Sequence, residues 1–310
     1  MKRICIFLCT VLIFTSLVSA QSADFKYAVV PEKPTPGEPV AVGIAVAAKQ
    51  AVLLVNGKQL SRANFFFVSA SNEKPGFIAA IIAIPSTANP GPAVIRVENE
   101  RGVIFNIPFT IAEREFRSET LRLNESLTAL LTEPDPQKTA EANRLWAILG
   151  TTGIDVYHGG AFVPPVTSTR RTSFFGTRRV YRYSNGSSST SIHAGIDYGV
   201  PTGTEVTACG SGKVILACMR IVSGNSVIIE HAPGVYSIYY HMDKIEVEEN
   251  TTVSAGALLG YSGATGFATG PHLHWEIRVS GENTDPDAFI ARPILDKDLI
   301  ISKLYNININ

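Results

Sequence analysis

The stretch Thr265-Gly-Phe-Ala-Thr-Gly-Pro-His272-Leu-His274-Trp-Glu276 sets two histidines two positions apart, directly behind a loop that contains two glycines. The aromatic and β-branched residues that continue to Val279 favour a β-strand. Side chains two positions apart on a strand point to the same face, so we expect His272, His274 and Glu276 to face one site together. Such a pair indicates a metal site or a proton relay, the alternative being two strand histidines satisfied by hydrogen bonds alone.

Two groups of similar chemistry lie upstream. His193 and Asp197 stand four positions apart in a segment whose glycines and Pro201 argue against a helix. In an extended chain this even spacing returns both side chains to one face, and a neutral imidazole with a carboxylate is ordinary zinc chemistry. The other group is Tyr239-Tyr240-His241, at the end of a β-branched and aromatic run. Together the three groups hold four of the six histidines of the chain.

In order and spacing, these groups resemble the lysostaphin-type, or LytM-type, zinc metallopeptidases, which cut peptidoglycan cross-bridges. The resemblance runs from about residue 168 to residue 290. Further stretches that carry it are Gly203-Thr204-Glu205-Val206, Gly224 to His231, and Gly260 to Gly266. The chain departs from the family pattern at Glu205, where proline is common, and at Met242, where leucine is common, and neither is a metal position.

Zinc in a hydrolase takes three protein ligands and keeps one position open. His193, Asp197 and His274 can supply two neutral nitrogens and one carboxylate, and the chain has no His-Glu-x-x-His helix to supply a glutamate base. His241 and His272 remain as groups that can take a proton near neutral pH. The resemblance implies the same roles, with one Zn2+ per chain on the first three residues and with His241 and His272 as catalytic residues. Which of these two is the general base stays open.

Residues beside these groups allow a functional and a structural interpretation. Glu276 can orient a ligand histidine or form a surface salt bridge. Tyr239 has the same strand parity as His241, so it can donate to a reaction intermediate or pack in the core. We expect His158 and His231, which lie outside the metal set, to be structural.

The sequence therefore predicts a zinc-dependent endopeptidase that hydrolyses the peptide cross-links of bacterial peptidoglycan. The alternatives are a non-catalytic relative that binds cell wall or activates an amidase, and an adhesion protein that carries an idle hydrolase domain. All five metal and catalytic positions are filled, which favours an enzyme. We expect peptidoglycan peptide bridges as the partner and a monomeric protein. The chain balances 27 basic against 27 acidic residues, so its net charge gives no indication of nucleic-acid binding.

Residues 1–20 have the pattern of a secretory signal peptide. A basic start precedes an apolar run from Ile4 to Val18, and Ser19-Ala20 provides a small-residue cleavage site. The run is short for a membrane span, so we expect cleavage after Ala20 and no stable membrane insertion afterwards. The protein would then be exported, to the periplasm or the cell envelope.

We predict a mainly β protein of five segments. Residues 1–20 are the signal peptide, 21–113 an N-terminal β-sandwich domain, and 114–153 a helical linker. Residues 154–292 form the zinc metallopeptidase domain, an antiparallel β-sheet, and 293–310 a C-terminal tail. The sandwich prediction rests on short β-rich runs separated by turn signals such as Asn56-Gly57. The sandwich contains no histidine and no cysteine, so we expect no chemistry there.

The linker carries clear helix signals. Leucines from Leu123 onwards recur at helical spacing, and a second helix begins with Asp135 as its cap and Pro136 at its first position. Its apolar stripe includes Trp146, and Gly150 ends it. The plain interpretation is a helical hairpin between two β-domains, and the alternative is a lid over the active site.

The segment before the first metal group is rich in arginine. These residues form either a basic rim for an anionic wall polymer or a solvated loop with one or two structural arginines. The polar run from Tyr183 to Ser191 is expected to be a flexible loop beside the metal. The arginines are Arg170, Arg171, Arg178, Arg179 and Arg182.

Two cysteines, Cys209 and Cys218, follow the signal peptide. Gly210-Ser-Gly212 between them indicates a hairpin turn, which would set Cys218 several residues along the partner strand. That separation is too large for a disulfide, so we expect both thiols to be unpaired.

Overall fold

The structure is a computed structural model that describes residues 25–69 and 75–306. The expected signal peptide lies outside these ranges. The described chain is mainly β, with mostly antiparallel sheets and four helices, which confirms the predicted fold class. No helix in the described ranges is both long enough and apolar enough to span a bilayer.

The N-terminal part of the described chain is a sandwich of two four-stranded sheets. Its strands are β1 (Tyr27–Val30), β2 (Pro39–Ile44), β3 (Ala48–Val55), β4 (Lys58–Asn64), β5 (Phe66–Val68), β6 (Phe77–Ala83), β7 (Gly91–Asn99) and β8 (Ile104–Ile111). Their order is β1-β2-β6-β5 in one sheet and β4-β3-β7-β8 in the other. Asn56 and Gly57, both at positive φ, form the predicted turn between β3 and β4. Leu53 and Ile95 of one sheet bury in a common core with Ile82 of the other.

The linker contains a strand as well as the two predicted helices. It comprises β9 (Ser118–Arg122), α1 (Glu125–Thr132) and α2 (Pro136–Gly150). α2 begins as predicted, because the Asp135 carboxylate accepts from two backbone N–H groups of the first turn and Pro136 has no N–H there to satisfy. Trp146, placed in the apolar stripe of α2, is 57% exposed and so does not bury with the rest of that stripe. α2 meets the sheet through apolar residues that include Leu145 and Leu149, and Glu141 and Arg144 add polar contacts.

The remaining strands belong to the predicted metallopeptidase segment. They are β10 (Arg171–Ser173), β11 (Arg178–Arg182), β12 (Ser188–Ile192), β13 (Gly195–Tyr198), β14 (Glu205–Thr207), β15 (Gly212–Arg220), β16 (Gly224–Ala232), β17 (Val235–Ile245), β18 (Thr252–Val253), β19 (Leu258–Ser262), β20 (Leu273–Val279) and β21 (Glu282–Thr284). They are followed by α3 (Pro286–Ala291) and α4 (Lys297–Tyr305). The main sheet runs β10-β13-β20-β17-β16-β15-β18, with β19 and β21 added on β17 and β20.

The two faces of this sheet have different partners. One face carries Tyr239 and Trp275 into the main core, where they bury together with Phe289 of α3. The other face carries Tyr240, and Leu149 of α2 packs against this face. The helical hairpin therefore lies on the sheet face to which Tyr240 belongs.

The polar run from Tyr183 to Ser191 is a loop only in its first half. Tyr183 to Ser187 form the turn of an antiparallel hairpin, and the residues from Ser188 onwards form β12, which pairs with β11. The other edge of β11 pairs in parallel with β9. The loop prediction is wrong for Ser188 to Ser191, because pairing with β11 satisfies their backbone groups whatever the polarity of their side chains. The partner strand β9 lies in the segment that was expected to be helical.

The hairpin predicted at Gly210-Ser-Gly212 is also wrong. β14, which precedes this turn, pairs with β19, whereas β15, which follows it, pairs with β16 and β18. Both cysteines are free, Cys209 in the core and Cys218 partly exposed on β15.

The segment expected to be a C-terminal tail contains α4, which packs on the sandwich. Ile300 and Leu304 of α4 bury in one cluster with Ala41 and Phe77 of the first sheet. A Cβ built on Gly43 would stand 2.3 Å from the Ile300 side chain, so the helix rests directly on the backbone of β2. The last described helix therefore covers the outer face of the first described sheet.

His231 on β16 is fully buried in the main core. Its Nδ1 donates to the Ser211 carbonyl oxygen at 2.8 Å, and its Nε2 lies 2.7 Å from Ser237 Oγ. Burial lowers the pKa of His231 to about 3, so the ring is neutral near pH 7. These contacts support the structural role expected from the sequence.

This histidine should make the stability depend on pH. In the unfolded chain it takes up a proton near pH 6.5, whereas in the folded chain it does so only near pH 3. The unfolded state therefore binds more protons in this window. Between the unfolded and the folded pKa, the free energy of unfolding should decrease by about 1.4 kcal/mol for each unit that the pH falls. Above the unfolded pKa, His231 should make no contribution to the pH dependence. Urea unfolding at a series of pH values measures the slope.

The matched control is His231→Gln, which keeps an N–H donor for the Ser211 carbonyl oxygen but does not titrate. Its stability should fall less steeply with decreasing pH than that of the wild-type protein. The two slopes should differ by about 1.4 kcal/mol per pH unit. Equal slopes for the two proteins would contradict the assignment to His231.

Candidate metal centre

A cleft of about 470 Å³ opens on the sheet face that carries Tyr240. It lies over β13, β17 and β20, and the hairpin of β11 and β12 forms one of its walls. Its lining includes His193, Asp197, His241, His272 and His274. The fold thus brings together all five predicted metal and catalytic residues.

Strand register sets Asp197 beside His274. β13 pairs antiparallel with β20, and these two residues stand directly opposite each other. His193 lies just before β13 and turns its ring towards the same point. All three residues are buried, and each offers one potential ligand atom within 4.8 Å of the others.

The donor atoms of this cluster suit a divalent metal. Asp197 Oδ1 lies 3.0 Å from His193 Nε2 and 2.7 Å from His274 Nδ1, and the two nitrogens are 3.0 Å apart. Ligand atoms on a tetrahedral zinc with bonds of about 2.0 Å lie about 3.3 Å apart. Outward movements of a few tenths of an ångström, on the order of the slack in side-chain torsions, would accommodate an ion.

The second nitrogen of each ring is held by an acceptor outside the cluster. In three rings Nδ1 lies 2.8 to 2.9 Å from a backbone carbonyl oxygen, namely in His193 (Phe174), His241 (Thr265) and His272 (Gly270). A carbonyl oxygen only accepts, so Nδ1 carries the proton and the neutral ring keeps a lone pair on Nε2. The backbone thereby fixes the tautomer in which Nε2 is free to bind a metal or take a proton.

His274 is oriented by a carboxylate instead. Its Nε2 donates to Glu276 Oε1 at 2.9 Å, and Glu276 Oε2 accepts from Arg278 Nε at 2.8 Å. The surface salt bridge considered for Glu276 is wrong, because this residue is only 4% exposed. With Nε2 engaged, His274 directs Nδ1 at Asp197, an arrangement typical of rings that bind metals.

His241 and His272 stand next to each other beside the cluster. Their ring centroids are 4.8 Å apart, and His272 Nε2 lies 3.9 Å from Asp197 Oδ1. His241 has a φ of 62°, in the left-handed region, and its backbone N–H donates to the Ser223 carbonyl oxygen at 2.9 Å. Such a conformation in a non-glycine residue is uncommon and is maintained here by the surrounding hydrogen bonds.

The charges of the cluster follow from its burial and its contacts. Burial acts to raise the pKa of Asp197, but the hydrogen bonds from His193 and His274 outweigh it and hold this pKa well below its usual range. For His274, burial is outweighed by Asp197 and Glu276, which raise its pKa to about 9. Burial, with the neighbouring His274 and His272, lowers the pKa of His241 to about 3. The cleft therefore contains an ionised Asp197 carboxylate beside a neutral His241 ring.

Tyr240, and not Tyr239, belongs to this site. Tyr239 is fully buried on the opposite face, and its hydroxyl oxygen accepts from the Cys209 N–H at 2.9 Å, so it has no access to an intermediate. The parity argument failed because the left-handed turn at His241 breaks the alternation of the strand. Tyr240 stacks on His274 with ring centroids 5.6 Å apart and planes within 9°.

The arginines before the first metal group are mostly structural. Arg171 pairs with a carboxylate of α3, and Arg178 donates to the Ser86 carbonyl oxygen in the sandwich at 2.6 Å. Arg179 contacts the cluster, with Nη2 3.1 Å from Asp197 Oδ2. The sequence carries no local signal that distinguishes Arg179 from its neighbours.

Residues 191–286 match the sequence profile of Peptidase family M23. This segment is an M23 peptidase domain. It contains all five predicted metal and catalytic residues, and the match confirms the resemblance inferred from the sequence. Arg179 and the linker lie before it in the chain.

Curated relatives match over part of the chain. DD-carboxypeptidase/endopeptidase Mpg of Neisseria meningitidis serogroup B is 38% identical over 128 residues, which are 41% of this chain and 29% of that protein. Peptidoglycan DD-endopeptidase ShyA of Vibrio cholerae is 38% identical over 118 residues, 38% of this chain and 27% of that protein. The aligned part of this chain thus covers less than a third of either relative.

A similarity to a solved structure reaches beyond the M23 domain. A Pseudomonas aeruginosa protein assigned to peptidase M23 has a TM-score of 0.56 and 26% identity, covering 83% of this chain and 95% of its own. That coverage exceeds the span of the M23 match, so the likeness extends into the segments outside the M23 domain.

Glu276→Gln should destabilise the protein. The change removes the negative charge that Arg278 faces in the interior, and a buried charge without its counter-ion costs roughly 3 kcal/mol. The free energy of unfolding from urea titrations measures the loss.

The double variant Glu276→Gln/Arg278→Met removes the orphaned charge as well and keeps an extended side chain. It should recover much of the lost stability. A single variant as stable as the wild type would show that the Glu276–Arg278 pair contributes little.

Proposed function

We propose that this protein is a zinc-dependent endopeptidase that hydrolyses the peptide cross-links of bacterial peptidoglycan. The observation that carries the proposal is the cluster of His193, Asp197 and His274 with the paired His241 and His272 rings beside it in one cleft. The name of one curated relative, peptidoglycan DD-endopeptidase ShyA, supports the substrate class.

One zinc ion per chain would be held by His193 Nε2, Asp197 Oδ1 and His274 Nδ1. Zinc at this position supplies a Lewis acid for the scissile carbonyl and lowers the pKa of water towards ~7. The hydrogen bonds behind the ligands hold their rings in place, so the geometry is prepared before substrate binds.

His241 and His272 are the proposed proton-handling residues. Each keeps its Nδ1 proton on a backbone carbonyl oxygen, so Nε2 is the atom that takes a proton from the attacking water and later passes it on. With ring centroids 4.8 Å apart, one ring can serve as base while the other stabilises negative charge on the intermediate. The shared geometry leaves the choice between them to experiment.

The proposed scissile bond joins D-alanine to the diamino acid of the next stem peptide. The DD-endopeptidase name of a curated relative supports this bond over one in a glycine bridge. We propose export to the periplasm or cell envelope, supported by the expected signal peptide and by the wall-directed names of the relatives. We also propose that the protein acts as a monomer.

The purified protein should contain one zinc per chain, measured by elemental analysis. Asp197→Ala should lose the metal, because it removes the carboxylate that joins both ligand nitrogens. His241→Ala should retain it, because the proposal places His241 outside the ligand set. A wild-type protein that neither contains nor binds zinc would instead support the non-catalytic wall-binding or amidase-activating alternative.

His272→Ala should leave zinc content and folding nearly unchanged and should lower turnover by about 10²-fold or more, because it removes a group that transfers a proton or stabilises charge. Release of cross-linked muropeptides from purified peptidoglycan, followed by mass spectrometry, measures the rate. The products should show cleavage in the peptide bridge and not between sugars.

His158→Ala is the matched control, since His158 lies outside the cleft and contacts the Ala161 carbonyl oxygen. It should cut at the wild-type rate. Wild-type turnover by His272→Ala would refute the proposed catalytic role, and loss of zinc from that variant would make His272 a ligand.

A further inference from the structure

The two oxygens of the Asp197 carboxylate have different partners. Oδ1 faces His193 and His274, at 3.0 and 2.7 Å. Oδ2 accepts from Arg179 Nη2 at 3.1 Å. Both side chains are largely buried, Arg179 being 13% and Asp197 11% exposed. The contact is thus partly shielded from water, where an ion pair is stronger than at the surface.

Arg179 is itself held by the linker strand. Its Nε donates to Glu119 Oε1 at 2.5 Å, and the two residues stand directly opposite each other in the parallel pair of β9 and β11. Glu119 also lines the cleft. The guanidinium therefore bridges two carboxylates, one on the linker strand and one in the metal cluster.

Ser173 connects this bridge to a second member of the cluster. Its Oγ accepts from Arg179 Nη2 at 2.7 Å and lies 3.3 Å from both Glu119 Oε1 and His193 Nδ1. Glu119, Arg179 and Ser173 form one connected group behind two of the three cluster residues. All three lie outside the segment that matches the M23 profile.

We propose that Glu119 and Arg179 are positioning residues that hold Asp197 as a one-oxygen ligand and tune the metal affinity of the centre. The inference rests on the proposed zinc function. With Oδ2 engaged by Arg179, the carboxylate does not rotate to present both oxygens to an ion. Glu119 neutralises the guanidinium, whose charge would otherwise oppose a cation held at Asp197 Oδ1.

The charges of Glu119 and Arg179 act in opposite directions on a cation at Asp197 Oδ1, so removing one charge and removing both should give different affinities. Glu119→Gln leaves the Arg179 charge uncompensated, so zinc affinity should fall by about 10- to 100-fold, the usual range for residues behind the ligands. The double variant Glu119→Gln/Arg179→Gln removes both charges and should recover most of that loss. Competition with a chromophoric chelator measures the affinities.

Arg179→Gln should change the coordination of the metal. A carboxylate freed at Oδ2 can bind through both oxygens and raise the coordination number. In the Co2+-substituted protein this should weaken the visible absorption bands, which are strongest in four-coordinate sites. If the glutamine variant does not fold, Arg179→Lys replaces it. Lysine keeps the charge but cannot bridge two carboxylates as a guanidinium does, so this variant should show the same spectral change.

Arg171→Gln is the matched control, because it breaks an ion pair between β10 and Asp287 of α3 without touching the cluster. It should keep wild-type affinity and spectrum. A wild-type protein that binds no zinc would defeat the proposed function itself. A wild-type protein that binds zinc, with Glu119 and Arg179 variants indistinguishable from it in both readouts, would overturn only this inference.

Discussion

The candidate metal centre depends on the register between β13 and β20. A slip of one residue would turn every side chain of a strand to the other face, sending His274 into the core and Trp275 into the cleft. The register is enforced from the core side, where Ile196 lies opposite Trp275 and both are almost fully buried. Gly195 contributes by close approach, since a Cβ there would stand 2.1 Å from the Trp275 carbonyl oxygen. Apolar packing on one face thus aligns the polar residues on the other.

Burial of so many polar groups requires that each have a partner. The imidazoles meet this requirement with one nitrogen on a carbonyl oxygen or carboxylate, which at the same time fixes the tautomer of each ring. The same hydrogen bonds therefore stabilise the buried rings and fix their tautomers. The Glu276–Arg278 pair extends this principle one step further from the cleft.

Local sequence patterns were sufficient for the residues whose positions are set by neighbours on the same strand. His272, His274 and Glu276 share a face because strand parity is regular through that stretch. Parity misassigned Tyr239 because a single left-handed residue, at position 241, reverses it. No local pattern could reveal this reversal, since a hydrogen bond to a distant turn maintains it.

Pairing between strands far apart in the sequence was the other feature that could not be predicted. The linker helices were predictable from local signals, α1 from the spacing of its leucines and α2 from its cap. β9 was not, because a short strand that pairs in parallel with a segment 60 residues later leaves little periodicity to detect. Arg179 was missed for the same reason. Its contacts distinguish it from four nearby arginines only when β9 is paired with β11.

The contact between α4 and the sandwich has a consequence for the order of folding. The apolar face around Ala41 and Phe77 is covered by a helix near the end of the chain, and the ion pair of Glu32 with Lys303 joins residues 271 positions apart. During synthesis the sandwich emerges before α4, so its outer face stays uncovered until α4 has been made. Contacts of such large sequence separation form late and slow folding. The sandwich is therefore made before the metallopeptidase segment, yet its packing is among the last to be completed.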